Sequence, residues 1–431
     1  MGAAGASGGI SYDYFFLTGL IDQKKQTLSV NSLSNLDVIS GIYEGIFLNT
    51  NDSGIQYSKK YQENSADVNF YGKFVDSSDN IYVLGNNTVS DRELFYAKLD
   101  SSGSQLGGKK YTTSTTGHSN FAADIKQDSS GNLYLGCFTS RTGLKRSASL
   151  IKINSSGTIL WQKTFTYSTT DVYIRSITVD SNDNVIVLLQ VGSPIGAEVI
   201  KFNSSGTLQW SYRFANNYSF YPNGGLDTDS NDNIYFAGYG GYQLASNRRN
   251  TVIKLNSSGT IQWHSTSYSY SSQAQYVYDL HVSSEDKLYF CGNYYNYNAF
   301  DSHAHWTELN TSTGAVNLAR WCKFSNTNYH AFFGIRTDDD GNIVVAGFRN
   351  TSTTTEMNVA RFPSDGSLTG TYSTHNDNLT YAAVSPLTTD STALLSSSSA
   401  ISTISTGSYT ASSLSLSSSN TSNSVTTTIL T

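Results

Sequence analysis

Short apolar runs alternate with clusters of Asp, Asn, Ser and Gly along most of this chain. The stretch from Asp229 to Trp263 shows the unit. It reads Asp-Ser-Asn-Asp-Asn, then Ile-Tyr-Phe-Ala-Gly, a variable segment, then Thr-Val-Ile-Lys-Leu, Asn-Ser-Ser-Gly and Thr-Ile-Gln-Trp. Such turn residues accept φ > 0 and bond their own backbone. Each cluster between two apolar runs therefore predicts a hairpin turn. The first hairpin recurs with its second strand opening at Asn80, Asn132, Asn184, Asn233, Lys287 and Asn342, at spacings of 49 to 55. Four residues earlier stand Asp76, Asp128, Asp180, Asp229, Ser283 and Asp338. The strand that follows is apolar at successive positions, as in Ile81-Tyr82-Val83 and Val185-Ile186-Val187, which predicts burial on both faces.

The second hairpin turns on Gly54, Gly103, Gly157, Gly206, Gly259, Gly314 and Gly366, again 49 to 55 apart. Degenerate copies of the first hairpin lie near Asn35 and Thr392. A period of about 50 residues with four short strands per unit predicts an all-β propeller of four-stranded antiparallel blades. One such sheet cannot bury its faces alone, and radial stacking does it. Seven blades are expected, the last closed by pairing the Thr392 hairpin with the Gly54 hairpin. Eight is the alternative count, and a hairpin solenoid the competing architecture. The array spans 42–400, preceded by an N-terminal arm (1–41) and followed by a Ser/Thr-rich tail or last strands (401–431).

Composition agrees with an all-β chain: 30 Tyr and 20 Phe stand against 2 Met and 4 Pro. A net charge of −6 opposes a nucleic-acid partner. Three cysteines, Cys137, Cys291 and Cys322, form no disulfide framework. The N-terminal residues lack a basic segment followed by an apolar run, and no stretch suits membrane insertion.

Candidate chemistry is sparse. Asp301, His303 and His305 would share one face of an extended strand at metal-binding reach, but no third nitrogen or sulfur ligand is near. Ordinary loop histidines are the preferred reading, and no metal or cofactor is expected. Asp227 to Asn233 imitates half a calcium loop but lacks the glycine and the glutamate such a loop needs, so it reads as turn chemistry. Lys98, Lys152, Lys201, Lys254 and Arg361 each precede a turn glycine by five residues. They read as one Asp-paired cation per blade rather than an anion-binding ring. Trp161, Trp210 and Trp263 are in register and predict inter-blade packing. No nucleophile elbow, phosphate loop or dinucleotide fingerprint appears, so no catalytic residue is assigned.

The form Asp-Ser-Ser-Gly-Asn-Leu-Tyr-Leu-Gly (128–136) and its copies resemble propeller repeats of bacterial surface proteins and of virion proteins of marine bacteriophages. The segment 407–419 is similar to the Ser/Thr-rich ends of such phage proteins. The resemblance implies a structural, non-enzymatic virion protein of the tail or fibre, made in the host cytoplasm. Its partners would be other virion proteins and further copies of itself, as a homo-oligomer. The alternatives are a bacterial surface or secreted lectin, a carbohydrate-active enzyme, or a capsid decoration protein. Adhesion to a host-surface polysaccharide would fall to Tyr268, Tyr270, Tyr294, Tyr295 and Tyr297, with Asn293, Asn296 and Asn298. These depart from the shared repeat and pair flat rings with amides.

Overall fold

The computed structural model describes residues 46–420 apart from short stretches in the strand connections, and side chains between 68 and 383. Every described element is a β-strand. A hairpin of β1 (Ile46–Asn51) and β2 (Gly54–Glu63) comes first. Blade one is β3 (Ala66–Val75), β4 (Ile81–Asn87), β5 (Leu94–Leu99) and β6 (Gln105–Thr113). Blade two is β7 (His118–Gln127), β8 (Leu133–Arg141), β9 (Ser147–Ile153) and β10 (Ile159–Thr166). Blade three is β11 (Tyr173–Val179), β12 (Val185–Val191), β13 (Gly196–Phe202) and β14 (Leu208–Ala215). In blade four the inner position is split into β15 (Phe220–Tyr221) and β16 (Leu226–Thr228), followed by β17 (Ile234–Gly241), β18 (Arg248–Leu255) and β19 (Ile261–Tyr268). Blade five is β20 (Gln273–Val282), β21 (Leu288–Asn296), β22 (Asp301–Leu309) and β23 (Val316–Phe324). Blade six contributes β24 (Tyr329–Thr337), β25 (Ile343–Asn350) and β26 (Thr355–Phe362).

The turns form as the residue types dictate. Asp128 accepts the amides of Ser130 (3.1 Å) and Asn132 (2.8 Å) on one carboxylate oxygen, which closes the turn from β7 to β8. Asn154 does the same for Ser156 and Thr158 in the turn from β9 to β10. The apolar second strands are buried along their whole length in β4 and β12. They fill the space between blades. Tyr134, Leu150 and Phe165 of blade two meet Ile177, Val187 and Phe202 of blade three in one cluster.

A polar latch repeats at each of these interfaces. Lys152 Nζ pairs with Asp128 (2.9 Å), lies over the Tyr134 ring and donates to the carbonyl of Ser204 in the next blade (3.0 Å). Trp161 Nε1 donates to the same carbonyl (3.1 Å). Lys201 and Trp210 do this to Ser257, and Lys254 and Trp263 to Thr311. The glycines of the receiving turns, Gly206, Gly259 and Gly314, have φ of 81°, 85° and 72°. A Cβ on any of them would meet an indole or phenol ring within about 3 Å, so both conformation and packing require glycine. A second ring of contacts joins the first turns: Ser129, Ser181 and Ser230 each bond the carboxylate of Asp183, Asp232 or Asp286 in the next blade. The in-register lysines are thus Asp-paired cations and the tryptophans inter-blade packing, as their spacing predicts.

Blade closure differs from the expectation. The Gly54 hairpin is present as β1 and β2, but Thr388–Asp390 does not pair with it. Instead the C-terminal residues form β27 (Gly370–Thr374), β28 (Asp377–Ala383), β29 (Thr388–Asp390), β30 (Ser396–Ser399), β31 (Thr403–Thr406), β32 (Tyr409–Ser413) and β33 (Ser417–Asn420). From β28 on, each adds to the last strand of a blade or, for β33, of the β1–β2 hairpin, antiparallel and in reverse order: β28 to β23, β29 to β19, β30 to β14, β31 to β10, β32 to β6 and β33 to β2. The tail is a belt around the ring. An inner strand must supply apolar side chains on two faces, which a Ser/Thr tract cannot. An outer edge needs only backbone donors and acceptors, which any extended segment supplies.

Three outcomes test this account. Asp180 and Lys201 lie 2.6 Å apart with side chains 1% and 8% exposed. Lys201→Met strands a buried carboxylate and should cost about 3 kcal/mol in urea unfolding; an unchanged midpoint would refute the latch. Burial raises the pKa of Asp128 and Asp180, but hydrogen bonds from Lys152, Lys201 and the turn asparagines outweigh it, so both end below the usual carboxylate value. Their contribution is present above the unfolded-state value near 4 and should be lost as pH falls through the depressed folded values. Ending the chain after Ala383 bares the edges of β19, β14, β10, β6 and β2. This should lower the melting temperature and promote association in light scattering beyond that of the full chain; a variant as stable and as dispersed as the full chain would rule out the belt's role.

Candidate functional site

Strand direction gives the ring two unlike ends. The innermost and third strands of each blade run toward the Asp/Asn/Gly turns, and the second and fourth run back. All those turns therefore share one end, where the latch occupies them. The connections from second to third strand and from one blade to the next share the other end. Sequence variation between blades is concentrated there.

Aromatic rings and arginines meet at this connection end. Arg248, at the start of β18, lies over the rings of Tyr221 (6.0 Å), Tyr239 (5.5 Å) and Tyr276 (5.3 Å). Its Nη1 donates to the Tyr276 hydroxyl at 3.2 Å. Tyr221 stacks on Tyr239, and Tyr239 meets Tyr276 edge-on across the boundary of blades four and five. The ring series continues through Tyr278, Phe333 and Phe348 into blade six. A bulge at Tyr278, between the paired Val277 and Asp279, gives the inner strand of blade five its extra residue. The same bulge recurs at Tyr71, Ala123, Arg175 and Phe333. In blades two and three, Tyr173 carries Arg146 and Arg175 over its ring and packs edge-on against Phe138. Tyr239, Tyr278, Phe333 and Phe348 are buried in this series, and the area left at its rim belongs to the half-buried Tyr173, Tyr221 and Tyr276; flat rings with donors beside them are how proteins hold sugar rings.

The adhesion residues expected from sequence fare unequally. Tyr270, Tyr297 and Asn298 lie outside the described residues, and Tyr268 and Asn296 are described only as the last residues of β19 and β21. Tyr295 is half-buried. Asn293 and Tyr294 are corrections. β21 extends to Asn296 and carries them inside the sheet. Asn293 is 0% exposed and donates to Ser302 Oγ at 2.7 Å, while Tyr294 is 9% exposed and packs 4.2 Å from the His305 ring. Their side chains are spent on packing. The strand ends at Tyr268 and Asn296 do point to the same end as the Arg248 platform, which the sequence reading did not find.

The remaining candidates are structural. His303 stacks on Trp321, and His305 is wholly buried between Tyr294 and Phe290. Asp229 spends its carboxylate on Asn231, Asn233 and Tyr235 within its own turn. Cys137, Cys291 and Cys322 are buried thiols. Around the axis, Asp124, Asp227 and Asp279 each accept a backbone amide from the inner strand of the next blade, at 2.9, 2.9 and 3.1 Å. Lys73 occupies the position where other blades carry Ile125, Ile177 or Leu280. Desolvation there, with the nearby positive charge of Arg336, pushes its ammonium down to about 7.

Comparison with known proteins supports the fold. The family model described as "Domain of unknown function (DUF5122) beta-propeller" matches residues 339–368, one turn-to-turn unit of blade six. No curated protein matches the sequence. Among solved structures, a polysaccharide lyase described as an ulvan lyase aligns over 81% of this chain and 95% of its own, at 11% identity and a TM-score of 0.44. An exo-β-1,3-galactanase from Clostridium thermocellum aligns over 75% and 88%, at 10% identity and 0.34. A protein of unknown function from Bacteroides caccae aligns over 62% and 83%, at 9% and 0.39. Likenesses this distant speak to fold alone. The expectation of a non-enzyme, drawn from a missing linear motif, is corrected: structures described as a polysaccharide lyase and as a galactanase stand among the matches. None of these three is described as a virion protein.

His305 gives this part of the structure a pH signature. Burial pushes its pKa from the ordinary 6.5 to about 3. The unfolded chain then binds a proton between those values that the folded chain does not, so stability should fall as pH drops below about 6.5. His305→Phe should flatten that part of the stability–pH curve measured by urea unfolding; an unaltered slope between pH 6.5 and 4 would show that His305 is not its source.

Proposed function

We propose that this protein is a carbohydrate-recognising propeller that holds its ligand at the connection end of the ring. The observation that carries the reading is the Arg248 guanidinium lying over Tyr221, Tyr239 and Tyr276, a ring cluster spanning two blades in which Tyr221 and Tyr276 are half-buried and Tyr239 is buried between them. Stacked rings take the apolar face of a sugar, and guanidinium, phenol and amide groups at the rim bond its hydroxyls. Each ring contributes on the order of 1 kcal/mol, so affinity comes from several subsites or several copies together. The reading holds equally for a propeller on a phage particle and for one on a bacterial surface.

Native affinity electrophoresis of the full chain through gels containing single polysaccharides tests the proposal. At least one polysaccharide should retard the protein. Tyr276→Ala should relieve most of that retardation, with the melting temperature followed in parallel. Tyr329→Ala, at the neighbouring blade boundary, controls for general loosening of the ring layer. If no polysaccharide in a broad panel of neutral and acidic polymers retards the chain, the reading fails. The same mixtures are assayed for new reducing ends and for unsaturated uronate, because recognition at this face is compatible with turnover.

A further inference from the structure

We infer that Lys73 is a nucleophilic amine at the inner edge of the ring, placed to form an imine with a small aldehyde. The inference is independent of the carbohydrate reading above and concerns a different part of the molecule. It starts from a break in the repeat. The inner strands of the blades share one position, fixed by pairing with the third residue of the second strand: Val83, Leu135, Val187, Phe236, Phe290 and Val345. Five blades fill it with Ile125, Ile177, Leu226, Leu280 and Ile335, all buried, and blade one with the half-buried Lys73. Elsewhere this side chain packs on the blade before. Ile125 joins Tyr82 and Leu84 of blade one, and Leu280 joins Tyr235 and Ala237 of blade four. Lys73 stands on the corresponding face of blade one, beside its partner Val83, which is 0% exposed. An aliphatic side chain would pack there as its equivalents do, and an amine in its place carries a desolvation cost. A residue that breaks a rule kept by its five equivalents marks a site used for chemistry.

The charges around Lys73 come from three other blades. Arg336 of β24 and Lys126 of β7 act on it as cations, and Asp279 of β20 and Asp124 of β7 as anions. Both carboxylates are engaged elsewhere. Asp279 binds Arg336 at 2.7 Å and the Ile335 amide at 3.1 Å, and Asp124 accepts from Ser176 Oγ and the Ile177 amide, each at 2.9 Å. Desolvation and the Arg336 charge outweigh them and hold the amine at about 7. At neutral pH about half of such an amine carries its lone pair, where an ordinary lysine keeps fewer than about one in a thousand. A lysine desolvated beside other cations is an activated nucleophile. Its lone pair adds to the carbonyl carbon of an aldehyde. The carbon–oxygen bond then breaks, the oxygen leaves as water with both amine hydrogens, and a C=N bond remains. No oxidant, reductant or further reactant is consumed. The carboxylates of Asp124 and Asp279 favour the protonated imine once it forms. A half-buried amine among three further blades sets the size class of the aldehyde as small.

The test incubates the full chain with glycolaldehyde and cyanoborohydride, which reduces an imine to a stable secondary amine. Peptide mass spectrometry then locates the modified lysines. At pH 7 Lys73 should be labelled at least about tenfold faster than Lys145, which is exposed in the connection from β8 to β9. The ratio of the two rates should fall as pH rises from about 7 to about 10, because an ordinary amine gains lone pairs over that range and Lys73 gains few. Lys73→Met, with the melting temperature followed in parallel, should remove the fastest label at pH 7. A Lys73 peptide that stays unmodified while Lys145 is modified would show the amine closed to aldehydes and overturn the inference. Labelling of both at one rate, with one pH dependence, would show an ordinary ammonium and do the same. No polysaccharide takes part, so either failure leaves the carbohydrate face standing.

Discussion

The ring depends on one repeated bond set: a lysine paired to its own blade's turn aspartate and donating to a carbonyl of the next blade's turn. Lys152, Lys201 and Lys254 each do this, with Trp161, Trp210 and Trp263 donating to the same carbonyl oxygens. Apolar packing between blades is large but non-directional, and alone it would allow one sheet to slide on another. The carbonyl supplies the missing direction. Because it belongs to a turn closed by Asn203, Asn256 or Asn310, the geometry of one hairpin fixes the placement of the preceding blade. Where tryptophan is absent the chain keeps the contact by other means: the Tyr111 hydroxyl donates to Gly157, and Arg320 Nε to Gly366.

This explains why the fold was legible in the sequence. A latch reused at each interface demands the same residue types at the same offsets. Asp128 with Asn132, Lys152 with Gly157 and Trp161 is a pattern that recurs some fifty residues on. The belt left no comparable trace. Its strands bind through the backbone, so Ser396–Ser399 pairs with Tyr212 to Ala215 without any side-chain code. The expected pairing of the Thr392 copy with the Gly54 hairpin does not form, because a hairpin-like turn signal says nothing about which edge a strand will meet. Asn293 and Tyr294 were misplaced for a related reason. A Tyr/Asn-rich stretch reads as a loop, yet β21 runs through both, and pairing with β22 settles their burial. The Arg248 platform did have a signal. Once the strand register is known, the arginines can be sorted by strand end, but no single arginine shows it.

The belt and the latch divide the problem of stability by direction. The latch ties blade to blade around the axis at the turn end. The belt runs across outer edges in reverse order, from β23 round to β2, so chain connectivity joins blades that follow one another in the ring a second time. It also covers the row of unpaired amides and carbonyls that each outermost strand would otherwise present to another chain. A low-complexity sequence is suited to this. Polar Ser and Thr carry no apolar demand on the solvent side, and β-branched Thr favours the extended state.

Both devices release the connection end from structural duty, and that determines where recognition can evolve. A turn aspartate such as Asp180 answers to its own asparagine and its own lysine at once, so a change there disturbs a whole interface. Tyr221, Tyr239 and Tyr276 pack mainly on one another and on Arg248, at the ends of strands whose registers are already fixed elsewhere. Substitution in such a layer alters surface chemistry more than the ring beneath it. The rigid end supplies geometry and the variable end supplies chemistry. Arg92, Arg213 and Arg248 lie across blade boundaries on Phe121, Tyr167 and Tyr276, so the cations of the variable end are themselves part of how neighbouring blades meet there.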